Sequence, residues 1–206
     1  MNLAFEITKR LKECDYFEFS VAFISESGLA VLKQILLNLK EKGVKGRIIT
    51  STYLGFNAPK MFKQLLSFTN IEVRVFEQEH CGFHPKGFIF HTGDHRDIIV
   101  GSSNLTQTAL ESNQEWDLFF TSHENGELAS QVSNEFDIQW ELSTPLTNEW
   151  IESYKETYVK PFRPASVQSS KIIKPNKMQE EALKSLKNLR DNNKDKSSSY
   201  ISNWYW

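Results

Sequence analysis

The sequence predicts an α/β fold with a largely parallel first half. Three observations carry that prediction. Between residues 2 and 76 the apolar positions switch repeatedly between helical spacing and strict alternation. Two runs rich in β-branched and aromatic residues, 88–90 and 98–100, then follow with polar groups at their edges and read as neighbouring strands. Small polar residues collect where those strands end, the position at which open α/β sheets hold ligands.

Each element has its own signal. Asn2 to Glu13 carries Leu3, Ile7 and Leu11 at helical spacing and predicts a short opening helix. Tyr16 to Ile24 alternates Phe17, Phe19 and Val21 against Glu18 and Ser20, a strand with a polar face. Ser25 or Ser27 caps a helix whose stripe is Leu29, Leu32, Ile35, Leu36 and Leu39, and Gly43 stops it. Val44 to Thr52 forms the next strand, and Tyr53 to Asn57 a loop. Asn57 with Pro59 opens a helix bearing Met61, Phe62, Leu65 and Leu66. Ile71, Val73 and Val75 mark a third strand, and Trp116 to Thr121 follows the two motif strands as another. Leu128, Val132, Phe136 and Trp140 define one late helix. Trp150, Ile151, Tyr154 and Tyr158 define a second, an aromatic stripe that reads as core packing, with a subunit contact as the alternative.

Three segments result. Residues 1–158 make the globular domain. Residues 159–176, with Pro161, Pro164, Pro175 and several serines, read as a linker. Residues 177–206 read as a basic amphipathic helix, with Leu183, Leu186 and Leu189, and a polar tail ending Trp204-Tyr205-Trp206.

Composition narrows the class. With 206 residues, 39% hydrophobic and 24% charged, the chain can bury one substantial core. Cys14 and Cys81 are too few and too far apart for a disulfide framework, which fits a reducing, cytoplasmic setting. No apolar run approaches a membrane span, and Met1 to Arg10 lacks the order of a signal peptide. The net charge of −2 is uneven: residues 171–196 hold eight basic against four acidic groups, +4, which leaves −6 elsewhere. Such a domain binds nucleic acid weakly unless its cations concentrate at the site.

The chemistry lies between Phe83 and Glu115. His84 and Lys86 share one face of a strand beginning at Pro85, and the second run ends Gly101-Ser102-Ser103-Asn104. Gly101 begins seventeen residues after His84, and Glu115 lies eleven residues after Asn104. An imidazole, an ammonium, a hydroxyl and a carboxamide at one sheet rim make a phosphate site containing a nucleophile. A neutral imidazole is populated at pH 7 and can attack phosphorus, forming a phosphohistidine. Lys86 neutralises the nonbridging oxygens, and Gly101, Ser102, Ser103 and Asn104 offer neutral groups to the same oxygens.

His-x-Lys followed by Gly-Ser-x-Asn resembles the phospholipase D superfamily over roughly the first 160 residues. The resemblance implies a mixed β-sheet flanked by helices on both faces, the same covalent route through His84, and no cofactor or metal. It also implies Glu115 as the carboxylate holding a histidine tautomer. Members carry two motif copies, in one chain or across a dimer; one copy here implies a homodimer with a composite site. His91 stands where many members have Asp, with Asp94 and Asp97 out of register, so the lipid-cleaving branch matches less well than the nuclease branch. The stretch from Lys177 to Leu183 is similar to the helix joining such a domain to a superfamily 2 helicase in bacterial fusions. Without Gly-x-x-x-x-Gly-Lys-Ser/Thr, ATPase activity does not carry over, and the chain reads as the nuclease module alone.

Rival readings remain on the sequence. His80, His84, His91 and His95 crowd around Cys81, which raises a zinc site, but no Cys-x-x-Cys or His-Glu-x-x-His spacing exists. No lysine has an acid two residues before it, against a metal-dependent nuclease. A metal-independent phosphodiesterase acting on nucleic acid, DNA before RNA, is therefore the expectation. The alternatives are an inactive dimerisation or DNA-docking module and, third, a lipid phosphodiesterase.

Overall fold

The computed structural model describes residues 2–77, 82–160 and 177–191. The chain divides into two units, Met1–Phe162 and Arg163–Trp206. Of the second, the described part is helix α7 (Lys177–Asp191); the expected linker beyond residue 160 and the aromatic tail lie outside the described residues.

The first unit is built on one mixed sheet of seven strands. Its strands are β1 (Tyr16–Val21), β2 (Lys45–Ser51), β3 (Ile71–Phe76), β4 (Lys86–Thr92), β5 (His95–Gly101), β6 (Asp117–His123) and β7 (Thr144–Pro145). They are ordered β6-β5-β4-β1-β2-β3-β7. β1, β2 and β3 are parallel, as the strand–helix alternation predicts; β4, β5 and β6 join as an antiparallel meander on the other side of β1. Helices cover both faces. On one lie α1 (Leu3–Glu13), α2 (Glu26–Glu41), α3 (Pro59–Leu66), α4 (Gln107–Glu111) and α6 (Asn148–Thr157); on the other lies α5 (Glu127–Glu141).

The two faces follow from alternation within each strand. Phe17, Phe19 and Val21 of β1 meet Phe88 and Phe90 of β4 under the larger helical layer, with the Phe19 ring 5.0 Å from Phe88. Ala22, Ile49, Ile89 and Ile98 face α5 through Phe136 and Trp140. The aromatic stripe of α6 is core packing: Trp150 and Tyr154 sit 4.9 and 5.5 Å from Phe62. No described helix is long and apolar enough to cross a membrane.

Two sequence expectations change. Asn57 does not cap α3, whose N-cap is Ala58 with Pro59 in the first turn. Asn57 is instead 1% exposed. Its Oδ1 accepts from the Ile24 N–H at 2.8 Å, while Nδ2 donates to the carbonyls of Ala22 and Ser51 at 2.9 and 2.7 Å. Strand ends leave backbone groups with no ladder partner, and a buried carboxamide can satisfy both kinds. Glu18, expected on a polar strand face, is buried under α5. It accepts from Arg47 Nε at 2.9 Å and pairs with His91 Nε2 at 3.0 Å. Arg47 also reaches Asp137 at 2.7 Å and lies over the Phe136 and Trp140 rings. The polar pattern was correct; the face it marks is an ion-paired interior.

Burial by itself would raise the Glu18 carboxyl, but the hydrogen bonds from His91 and Arg47 outweigh it and hold the pKa below 4.5. A carboxyl depressed on folding stabilises above its unfolded pKa and loses that contribution as pH falls through the folded one. Glu18→Gln should cost about 3 kcal/mol in urea unfolding at pH 7, because it leaves Arg47 without its buried partner. The difference from wild type should shrink below pH 4.5; an unchanged difference at pH 3 would rule out this assignment.

Candidate active site

Strand register brings the motif residues to one end of the sheet. Lys86 lies opposite Val21, Gly87 opposite Val100, and Gly101 opposite Asp117. That end is where parallel strands β1 to β3 terminate, because β4 runs antiparallel to β1. His84 stands just before β4, where the Pro85 carbonyl still accepts from the Ala22 N–H at 3.1 Å.

His84 and Lys86 make the centre. Lys86 is only 9% exposed. Its Nζ donates to the His84 carbonyl at 2.8 Å and lies 2.7 Å from Nδ1 and 3.2 Å from Nε2 of the same residue. The imidazole stands edge-on to Phe23, ring centres 5.5 Å apart. Burial pushes the Lys86 ammonium down from 10.5, and the Glu115 charge works against that shift. Burial, then the Lys86 charge, holds the His84 imidazole below 6.5. Both causes favour the neutral ring at pH 7.

The second motif surrounds this pair less uniformly than the sequence suggests. Ser102 donates to Glu115 Oε2 at 2.5 Å, and its hydroxyl accepts from the Trp116 N–H at 3.0 Å. Asn104 accepts from the Phe23 N–H at 3.3 Å, which ties the loop to the end of β1. Ser103, grouped by sequence with the phosphate donors, is fully buried and donates to Asp117 at 2.6 Å. It braces the loop. Gly101 is required by β6: a Cβ there would meet Asp117 Oδ1 and the Trp116 carbonyl at 2.2 Å. Glu115 accepts from Ser102 and Asn113 and makes no hydrogen bond to His84 within the chain.

An open groove of about 400 Å³ runs from this centre across the sheet under α5, lined by Ser20, His84, Lys86, Val100, Gln131 and Glu135. Among the described residues lining it, Lys86 is the one ammonium and Glu135 of α5 the one acid. The arrangement can neutralise one phosphate, present one nucleophile and little more.

Among the described residues, the histidines of this cluster do not assemble as zinc ligands. His84 precedes β4 and His91 lies near its other end, seven residues on and about 23 Å at ordinary strand rise, and His91 is engaged by Glu18. His80 and Cys81 lie outside the described residues. Among the described residues, a metal-ligand grouping occurs at Asp94, His95 and His123, exposed at the far end of the sheet. Sequence reading missed Phe23, Asn57, Asp117 and Trp116 as site residues. Asp117 alone had a signal, the acid two residues beyond Glu115.

Residues 7–140 match the family described as cardiolipin synthase, PLD-like domain. The fold is similar to phosphatidylserine synthase of Haemophilus influenzae, TM-score 0.53 at 14% identity, over 74% of this chain and 41% of that one. It is similar also to NucT from Helicobacter pylori, TM-score 0.53 at 14% identity, over 69% of this chain and 90% of that one. The chain thus spans about two fifths of the Haemophilus protein. At such identity the likeness is one of fold. No curated protein matches the sequence.

The motif loop is positioned by close packing on α2. A methyl at Gly28 would approach the Leu105 carbonyl to 2.0 Å, so Gly28→Ala must push away the segment carrying Asn104. Overpacking of this kind costs about 1–3 kcal/mol. The variant should unfold at lower urea and show a displaced Asn104 side-chain amide resonance. Wild-type stability and an unmoved resonance would show that the loop is not held from this side.

Proposed function

The chain belongs to the phospholipase D-like domain family, and from that membership we infer that it cleaves phosphodiesters in nucleic acid without a metal, through a covalent phosphohistidine. The observation that carries the reading is the Lys86 ammonium 2.7 Å from a neutral His84 at the mouth of an open groove. In the first step a His84 ring nitrogen bonds to phosphorus and the bond to the leaving oxygen breaks. That oxygen takes a proton from a second, protonated imidazole. The second imidazole, now neutral, removes a proton from water as the water oxygen attacks phosphorus and the P–N bond breaks. A phosphomonoester leaves, and both rings regain their starting states.

One His-x-Lys per chain supplies one of these imidazoles, so the second comes from a second copy, in a homodimer with one composite site. Lys86, Ser102 and Asn104 hold nonbridging oxygens. Glu115 acts through Ser102 and through its charge, which opposes the lowering of Lys86 by burial. The substrate follows from the single-motif chain and its similarity to helicase-linked domains. The second reading is an inactive dimerisation or DNA-docking module, favoured by the acidic charge of the first 170 residues and by His91 at the motif Asp position.

With labelled oligonucleotide in excess EDTA, wild type should trap a labelled phosphoprotein that His84→Ala does not form. Lys86→Ala should cut turnover by roughly 10²–10³-fold. Cleavage that EDTA abolishes and magnesium restores would defeat the mechanism, and cleavage of phosphatidylcholine vesicles alone would move the substrate to lipid.

The acid limb has a stated direction. A nucleophilic imidazole works above its pKa, so activity should persist below pH 6.5 and fade as His84 protonates. Because the Lys86 charge is one cause of the low value, Lys86→Met should move the His84 ring titration, followed by NMR, upward. A downward or absent shift would remove Lys86 from the account.

A further inference from the structure

We propose that Trp116 is a stacking platform for a nucleobase beside the scissile phosphate, so that the site takes unpaired strands rather than duplex; the proposal rests on the nucleic-acid reading above. Trp116 is 90% exposed, the most exposed large apolar side chain among the described residues. It is also firmly registered to the motif. Its N–H donates to Ser102 Oγ at 3.0 Å, and its carbonyl accepts from the Ser102 N–H at 2.9 Å. One bond to the Ser102 hydroxyl and one backbone bond thus hold the Trp116 main chain beside a residue assigned to phosphate oxygens. Strand alternation puts Trp116 with Leu118 and Phe120 on the α5 face, the face of the groove, and Phe120 packs into that layer.

A second aromatic group lies on the other side of the centre. Phe23, edge-on to His84, contacts Phe56 at 4.9 Å and stacks on Tyr53 at 6.3 Å, and both outer rings are partly exposed. The loop holding them contains Leu54 at φ 55, a left-handed conformation that costs a branched residue free energy. Two aromatic platforms separated by a polar centre suit bases on either side of one phosphate.

Charge argues for the same occupant. Duplex binding draws on counterion release from many phosphates. Among the described residues, each copy contributes to the groove one ammonium, Lys86, and one lining acid, Glu135. With so few cations affinity must draw on another source, and stacking on aromatic rings supplies one, provided that the bases are free of their own stack.

The test uses the full chain with His84→Ala as a non-cleaving background. Binding is measured to an oligothymidylate and to an equally long backbone of abasic sites. Adding Trp116→Ala should weaken oligothymidylate binding roughly tenfold and leave the abasic strand unchanged, with Trp116→Phe retaining most of the affinity. The dimer fraction in sedimentation should not move. Equal loss on both strands, or a loss of dimer in Trp116→Ala, overturns the proposal and gives Trp116 to backbone binding or to the subunit contact. Wild type that cleaves oligothymidylate while Trp116→Ala binds it normally overturns this proposal alone. A chain that neither binds nor cleaves either strand overturns the nucleic-acid reading together with it.

Discussion

The antiparallel pairing of β4 with β1 is the constraint from which the site follows. β1 runs parallel to β2 and β3 on one side, and a fourth parallel strand would have entered at the opposite end of the sheet. Because β4 enters reversed, Lys86 starts opposite Val21, where β1 finishes. His84 and Lys86 therefore meet the end where the parallel strands expose unpaired backbone groups and where Asn57 gathers Ala22, Ile24 and Ser51. β5 and β6 follow as a meander, so their own turns return Gly101 to Asn104 and Glu115 to the same rim.

The same strand pair separates two kinds of electrostatics. At the far end, Glu18 and Arg47 neutralise one another beneath α5, with His91 on the same carboxylate and the guanidinium over Phe136 and Trp140. Charges so placed are structural: each has its counterion, and removal of one strands the other. At the near end, Lys86 is nearly as buried but its contacts are a carbonyl and an imidazole, with a carboxylate acting only through its field. A cation without a direct counterion, beside a neutral ring, is arranged to receive an anion. His91 belongs to the first kind, which is why its presence at the motif Asp position leaves the second undisturbed.

Rigidity of the site is supplied by small and buried residues rather than by the reactive ones. Ser103 and Asp117 lock the turn after β5, Gly28 lets α2 approach Leu105, and Asn104 grips the backbone of Phe23. Reactive groups can then remain partly open, as His84 and Ser102 are, because their backbones are held from behind.

Much of this was present in the chain order. Apolar periodicity located the helices and strands, the Ser25 cap and Gly43 stop bounded α2, and His-x-Lys with Gly-Ser-x-Asn marked the chemistry, because local spacing and residue type are properties of sequence alone. What tertiary structure decided was which polar groups meet. Glu18 reads as one residue of a polar strand face until β2 and β4 bring Arg47 and His91 against it. Asn57 reads as a helix cap until two strand ends converge on it, and Ser103 as a phosphate donor until β6 delivers Asp117. Trp116 shows no pattern in sequence, since exposure is a property of what fails to pack. Partnership between residues tens of positions apart depends on strand order and register, and those are settled only when the whole sheet closes its hydrogen bonds and buries both faces at once.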